Sequence, residues 1–180
     1  SMPSMNSEEI DGILVAIRSL IGRQKPFSMM SGIGRINNLH VRASYHEADL
    51  AISKIEDGTG ISEAASLPLI GRSIKSNLEN THTESAIMLG FSVDAQDLAI
   101  LTAAGIKVIC CEVPMVEATD LALWIQGLSK NLSHILRELG LESIDGLNRQ
   151  HLRALDHETA AVSGLRLAGY ERPLPHWFAS

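Results

Sequence analysis

The stretch Asp94–Val113, DAQDLAILTAAGIKVICCEV, decides the fold class. Asp94 is a good N-cap type, Leu98, Leu101 and Ala104 recur at steps of three on one helix face, and Gly105 stops the helix. The apolar run Ile106–Val113 follows with almost no loop, and Pro114 ends it. A helix, a glycine and then an apolar strand is the passage from which α/β layers are built. The reading is an α/β fold: a small sheet flanked by helices over residues 1–115, then a helical C-terminal subdomain with an aromatic tail over 116–180.

The subdomain is read from Thr119–Gly140, TDLALWIQGLSKNLSHILRELG. Leu121, Ile125, Leu128, Leu132, Ile135 and Leu139 recur every three or four residues, which predicts one long amphipathic helix. Gly140 closes it, and Arg137 sits in the last turn, where a cation complements the helix dipole. A second helical run is expected from Asn148 to Gly164. The tail Tyr170–Phe178 holds three of the seven aromatic residues of the chain. It is expected to lay Trp177 and Phe178 over an apolar groove, of its own chain or of a neighbouring subunit.

Upstream, Ser7–Gly22 reads as a helix, with Ser7 as its cap, Glu8 and Glu9 at its positive end, and Ile10, Ile13, Leu14, Ile17, Leu20 and Ile21 as its apolar stripe. That stripe needs cover, from its own sheet or from a partner chain. Leu39, Val41, Ala43 and Tyr45 alternate with His40, Arg42 and Ser44, the pattern of a half-buried strand with a solvated polar face. Glu47–Ile55 looks helical, Leu67–Ile74 fits an edge strand carrying Pro68 and Gly71, and Thr81 or Thr83 caps a short helix ending at Gly90.

Composition limits the function. The hydrophobic fraction of 45% fits a soluble globular protein, and no apolar run approaches the roughly 18 residues of a membrane span. The net charge of −6 and scattered basic residues argue against nucleic-acid phosphates as partners. No basic-then-apolar leader is visible, and the only cysteines, Cys110 and Cys111, are adjacent on a strand and so point to opposite faces. They read as buried thiols in a reducing, cytoplasmic protein. The seven histidines form no ligand spacing: His151 and His157, like His40 and His46, are six apart, and His82 is alone, so no metal site is expected. No strand–Gly-x-Ser-x-Gly–helix elbow occurs, and whether the chain is an enzyme stays open.

One loop carries ligand chemistry. In Asp57-Gly58-Thr59-Gly60 the small residues let backbone N–H groups approach a phosphate, and Thr59 offers a hydroxyl. It lacks the Gly-Lys-Ser/Thr of a Walker loop and the third glycine of a dinucleotide fingerprint, and an ordinary turn is the competing reading.

A longer pattern joins Leu139-Gly140, Ser143-Ile144, Leu147, His151-Leu152-Arg153-Ala154-Leu155, Glu158, Ala160, Ser163-Gly164 and Ala168-Gly169. Across Asn131–Gly169 this resembles the segment that follows the flavin-binding barrel in the archaeal-type glutamate synthase family. In that family an Asp-Gly…Gly-Thr-Gly loop belongs to the FMN domain, and Asp57–Gly60 is a shortened echo of it. The resemblance implies FMN as cofactor. Cys110, Cys111 and Pro114 do not reproduce the family's spaced iron–sulfur ligands. At 180 residues the chain is shorter than the about 250 of an eight-stranded barrel, so the resemblance implies kinship with an accessory element. Two function classes result: a flavin- or phosphate-ligand protein with its ligand near Asp57–Gly60, or a non-catalytic oligomeric assembly or regulatory module; the apolar stripe of the long helix and the Trp177–Phe178 tail point to a homodimer in which tail and second chain both give cover.

Overall fold

A computed structural model describes residues 7–22, 24–32, 38–55, 63–75, 82–113 and 117–170. The chain is an α/β fold whose first part alternates strand and helix: α1 (Ser7–Ile21), β1 (Ser28–Gly32), α2 (Leu39–Tyr45), β2 (Leu50–Lys54), α3 (Glu63–Lys75), β3 (Glu84–Met88), α4 (Ala95–Ala103) and β4 (Val108–Cys110). The four strands form one all-parallel sheet in the order β1-β2-β3-β4, with Ser31, Ser53, Ile87 and Ile109 side by side in register. Each strand is laid down beside its predecessor. Right-handed crossovers in sequential order place every connecting helix on the same side of the sheet.

Strand alternation then sorts the side chains. Phe27 and Met29, Ala51 and Ile55, Ile87 and Leu89, and Ile109 and Cys111 pack with Leu39 and Ala43 of α2, Leu67, Ile70 and Ile74 of α3, and Leu98 and Leu101 of α4. These residues form the main core. The loops extend the ladder beyond the strands: Phe27 N donates to Asp49 Oδ2 and Lys107 N to the Ser85 carbonyl at one end, Ile55 N to the Met88 carbonyl and Leu89 N to the Cys110 carbonyl at the other. Asp94 caps α4 through a reciprocal box with Asp97, and Gly105, at φ +99°, turns the chain straight into β4.

The long helix α5 (Ala118–Glu138) packs on α4. Its half-buried line is Leu121, Trp124, Leu128, Leu132, Ile135 and Leu136, so the stripe is rotated from the expected one: Ile125 and Leu139 are exposed. Leu132, Ile135 and Leu136 join Ala99, Ala103, Leu141, Ile144, Leu147 and Leu152 in a second core. The expected helix from Asn148 is broken up. Asn148 caps only a 3-10 turn, Arg149–His151; then β5 (Arg153–Ala154), α6 (His157–Ser163) and β6 (Arg166–Leu167) form a small parallel strand–helix–strand unit around Ala154, Ala160 and Leu167. Asp156 caps α6 by accepting from the Thr159 N–H and hydroxyl, and Gly164 ends it in the left-handed region.

Four expectations are overturned in the first half. Leu39–Tyr45 is a helix and not a strand, the Glu47–Ile55 region holds strand β2, Leu67–Ile74 lies inside helix α3 despite Pro68, and the segment before Gly90 is strand β3. No helix among the described residues is long and apolar enough to cross a membrane. The expected tail contact of Trp177 and Phe178 lies outside the described residues.

The two cores set a graded response to truncation. Ile87→Ala, at a fully buried strand centre, is expected to cost about 2–5 kcal/mol in urea unfolding. Ile125→Ala, on the exposed side of α5, should stay within about 0.5 kcal/mol of wild type.

Candidate functional site

In all-parallel α/β sheets ligands bind beyond the carboxyl ends of the strands. Here that edge is formed by Gly32, Lys54, Met88 and Cys110, neighbours in register across β1 to β4. Lys54 is half-buried and Cys110 is exposed. The β3–α4 connection adds exposed Gly90, Phe91 and Ser92, tied to β4 where Glu112 N donates to the Phe91 carbonyl. Sequence reading missed this row because β2 and β3 were read as helical and Ser28–Gly32 was not read as a strand. The sheet register is the signal that finds it.

Asp57, Gly58, Thr59 and Gly60 lie outside the described residues, in the connection from β2, which ends at Lys54, to α3, which begins at Glu63. The cysteines behave differently from the expectation of two buried thiols. Cys110 is exposed on the side of the sheet away from the helices, whereas Cys111 is half-buried against the main core.

A polar seam runs inside the helix-covered side. His40 of α2 is 2% exposed, and its Nδ1 lies 2.9 Å from Ser73 Oγ of α3. His40 was expected on a solvated face; helical periodicity turns it inward instead. Its Nε2 is buried with no hydrogen-bond partner among the described residues. Burial pushes the His40 imidazole down to about 4, keeping it neutral. A serine–histidine pair invites a nucleophilic reading, but both groups are sealed from solvent, so no substrate reaches them. Their role is to join α2 to α3.

The second titratable cluster holds α1 in place. Asp11 Oδ1 accepts hydrogen bonds from Arg42 Nη2 and His46 Nε2, each at 2.9 Å. Those two bonds, His46 first, hold the Asp11 carboxyl below the usual carboxylate range. Two turns on, Arg18 donates to the Lys25 and Glu47 carbonyls and lies over the Phe27 ring. Of the other histidines, His151 accepts from Asn148 N, His157 meets Tyr170 edge-on, and His82 is exposed. No group of three metal-binding side chains is found among the described residues.

An apolar cavity of about 320 Å³ separates α3 and α4 from the β5–α6–β6 unit, lined by Leu67, Pro68, Ile100, Leu152 and Leu165. Its polar rim is committed: Arg149 donates to the Ser163 carbonyl, Arg153 to those of Gln150 and Leu152, and Asp156 caps α6. The polar groups of the rim thus serve the local fold of the C-terminal unit. Comparison with family models, curated proteins and solved structures returns no match to this chain.

Neutral, buried His40 makes stability depend on pH. The unfolded chain binds a proton at His40 near pH 6.5, the folded chain only near pH 4. Stability is therefore full above about pH 7 and falls as pH drops from 6.5 toward 4, by on the order of 3 kcal/mol. Urea melts across that range should show the loss in wild type and a flattened profile in His40→Gln.

Proposed function

We propose that this chain binds a phosphate-bearing ligand, FMN in the first instance, at the carboxyl edge of its parallel sheet, as a relative of an accessory part of glutamate-synthase-like oxidoreductases. The observation that carries the reading is the position of Asp57–Gly60 between the end of β2 and the start of α3. A small-residue loop leading into a helix N-terminus offers free N–H groups and a favourable dipole to an anion. Gly58 and Gly60 would let the phosphate approach the backbone, Thr59 would donate its hydroxyl, and Asp57 would accept from a ribityl or ribose hydroxyl. FMN, when bound, supplies hydride and electron chemistry; the chain's part is to hold and orient it. The resemblance across Asn131–Gly169 points to the same cofactor.

A second reading, a non-catalytic assembly module, is favoured by a different observation: the side of the sheet away from the helices carries exposed apolar residues, Met30 and Val108. It predicts a defined complex without flavin.

The two separate in one titration. Incubation with FMN should leave visible flavin absorbance on the desalted protein. At a hundredfold excess over Kd the ligand should stabilise the fold by about 2.7 kcal/mol, a rise of roughly 5–10 °C in Tm. Gly58→Val should abolish both effects. Colourless protein with an unchanged Tm would leave the assembly reading in place of the flavin one.

A further inference from the structure

The apolar cavity between α3, α4 and the C-terminal unit is walled on one side by residues that suit a helix poorly. Pro68 and Gly71, three apart and so on one face of α3, both line it. Inside a helix, proline gives up a backbone hydrogen bond, and glycine is the weakest former after it. Ile70 and Ile74, which turn to the main core from the same helix, break no such rule. Local rules broken on one face of an otherwise regular element mark a place that serves more than the fold. At Gly71 what is served is space: a Cβ there would meet no atom of the described residues within 4 Å. Ile100, Leu152 and Leu165 complete the apolar lining around about 320 Å³. Packed interiors leave few voids larger than a water molecule, so this volume is a site and not a packing fault.

The mouth is marked by exposed side chains. Leu155, 88% exposed, stands there with Arg149 and Arg153. Arg149 gives Nη2 to the Ser163 carbonyl, and Arg153 gives Nη1 to the Gln150 and Leu152 carbonyls. A guanidinium carries more N–H donors than these bonds use. Neither arginine is ion-paired among the described residues. Asp156 is the one carboxylate lining the cavity among them, and the Thr159 N–H and hydroxyl occupy its two oxygens. Two cations against one engaged carboxylate favour an anion at the mouth, beside a wall that favours hydrocarbon.

We infer that this cavity binds a monocarboxylate with a short hydrocarbon body, a medium-chain fatty acid in its simplest form. The chain lies along Pro68, Gly71 and Ile100, and Arg149 and Arg153 hold the carboxylate. The inference names residues other than Asp57–Gly60 and does not depend on flavin. Size sets the class. A cavity of roughly 150 Å³ closes around one benzene, so one of about 320 Å³ takes a body of about ten to twelve non-hydrogen atoms. Burial of that body, with Leu155 at the mouth, supplies affinity. The guanidinium groups select the anionic head through charge-assisted hydrogen bonds.

Isothermal titration calorimetry of the full chain with octanoate should show saturable binding at one site per chain, with Kd below roughly 1 mM. Octanol keeps the hydrocarbon and lacks the charge, so it should bind at least about 10-fold more weakly. Replacing both arginines, Arg149→Gln with Arg153→Gln, should remove that preference. Gly71→Leu places a side chain in the cavity and should cut octanoate affinity by at least about 10-fold. Its Tm should not fall, since leucine is a better helix former than glycine. Amide exchange of the unmodified chain needs no substitution: octanoate should raise protection in α3, β5 and α6 and leave β1 and β2 unchanged. Absence of saturable binding, equal affinity for octanol, or full affinity in folded Gly71→Leu overturns the inference. So does added protection that misses α3 and α6.

Discussion

Parallel pairing of β1, β2, β3 and β4 in chain order is the constraint on which the rest of this structure depends. Once each strand is laid beside the last, handedness sends α2, α3 and α4 to one side. The pleat then divides neighbouring residues between two environments. Met29, Ala51, Ile87 and Ile109 enter the core, while Met30, Ile52, Ala86 and Val108 lie on the other face. Ile87 is fully buried, whereas Met30 is more exposed than not. The same register brings Lys54 and Cys110 to the carboxyl edge, where a ligand would meet the sheet.

Helix packing covers the side of the sheet that holds the main core. The α4–β4 passage is pinned by the Asp94–Asp97 box, the Gly105 turn and the Ser85 hydroxyl donating to the Gly105 carbonyl. α4 then carries α5 and the C-terminal turns, while α6 packs on α3. Polar groups do the joining where apolar contact is thin: Asp11 ties α1 to α2, and His40 with Ser73 ties α2 to α3. A buried imidazole with no partner on Nε2 among the described residues is a costly joint, and it makes the α2–α3 contact an acid-sensitive part of the fold.

How much was legible follows from element length. α1, α4 and α5 were readable because each spans enough turns for a 3.6-residue period to appear, and each has capping or breaking residues at its ends. β4 was readable because Gly105 and Pro114 bracket an apolar run. The elements β1, α2, β2, α3 and β3 were not. α2 is seven residues long, and over so short a span Leu39, Val41, Ala43 and Tyr45 satisfy a strand period although the chain is helical. β2, LAISK, carries residues as compatible with a helix as with a strand. Pro68 argued against a helix that tertiary packing of Leu67, Ile70 and Ile74 nonetheless supports. On α5, the period was right and the phase was wrong, because Trp124 and Leu136 belong to the buried line and Ile125 and Leu139 do not. Asp57–Gly60, singled out in the sequence for its small residues, lies outside the described residues, and the row Gly32, Lys54, Met88 and Cys110 exists only through long-range register. Local pattern carries no information about that register.

The two adjacent cysteines report directly on this division between the helix-side core and the opposite face. They are the only thiols in the chain, so alkylation followed by peptide mass analysis reads each side chain separately. In dilute protein, Cys110 should react much faster than Cys111, whose thiol packs against the helix-side core. The difference should hold at every protein concentration and vanish only when urea unfolds the chain. Equal rates at every concentration, or faster reaction at Cys111, would contradict the account.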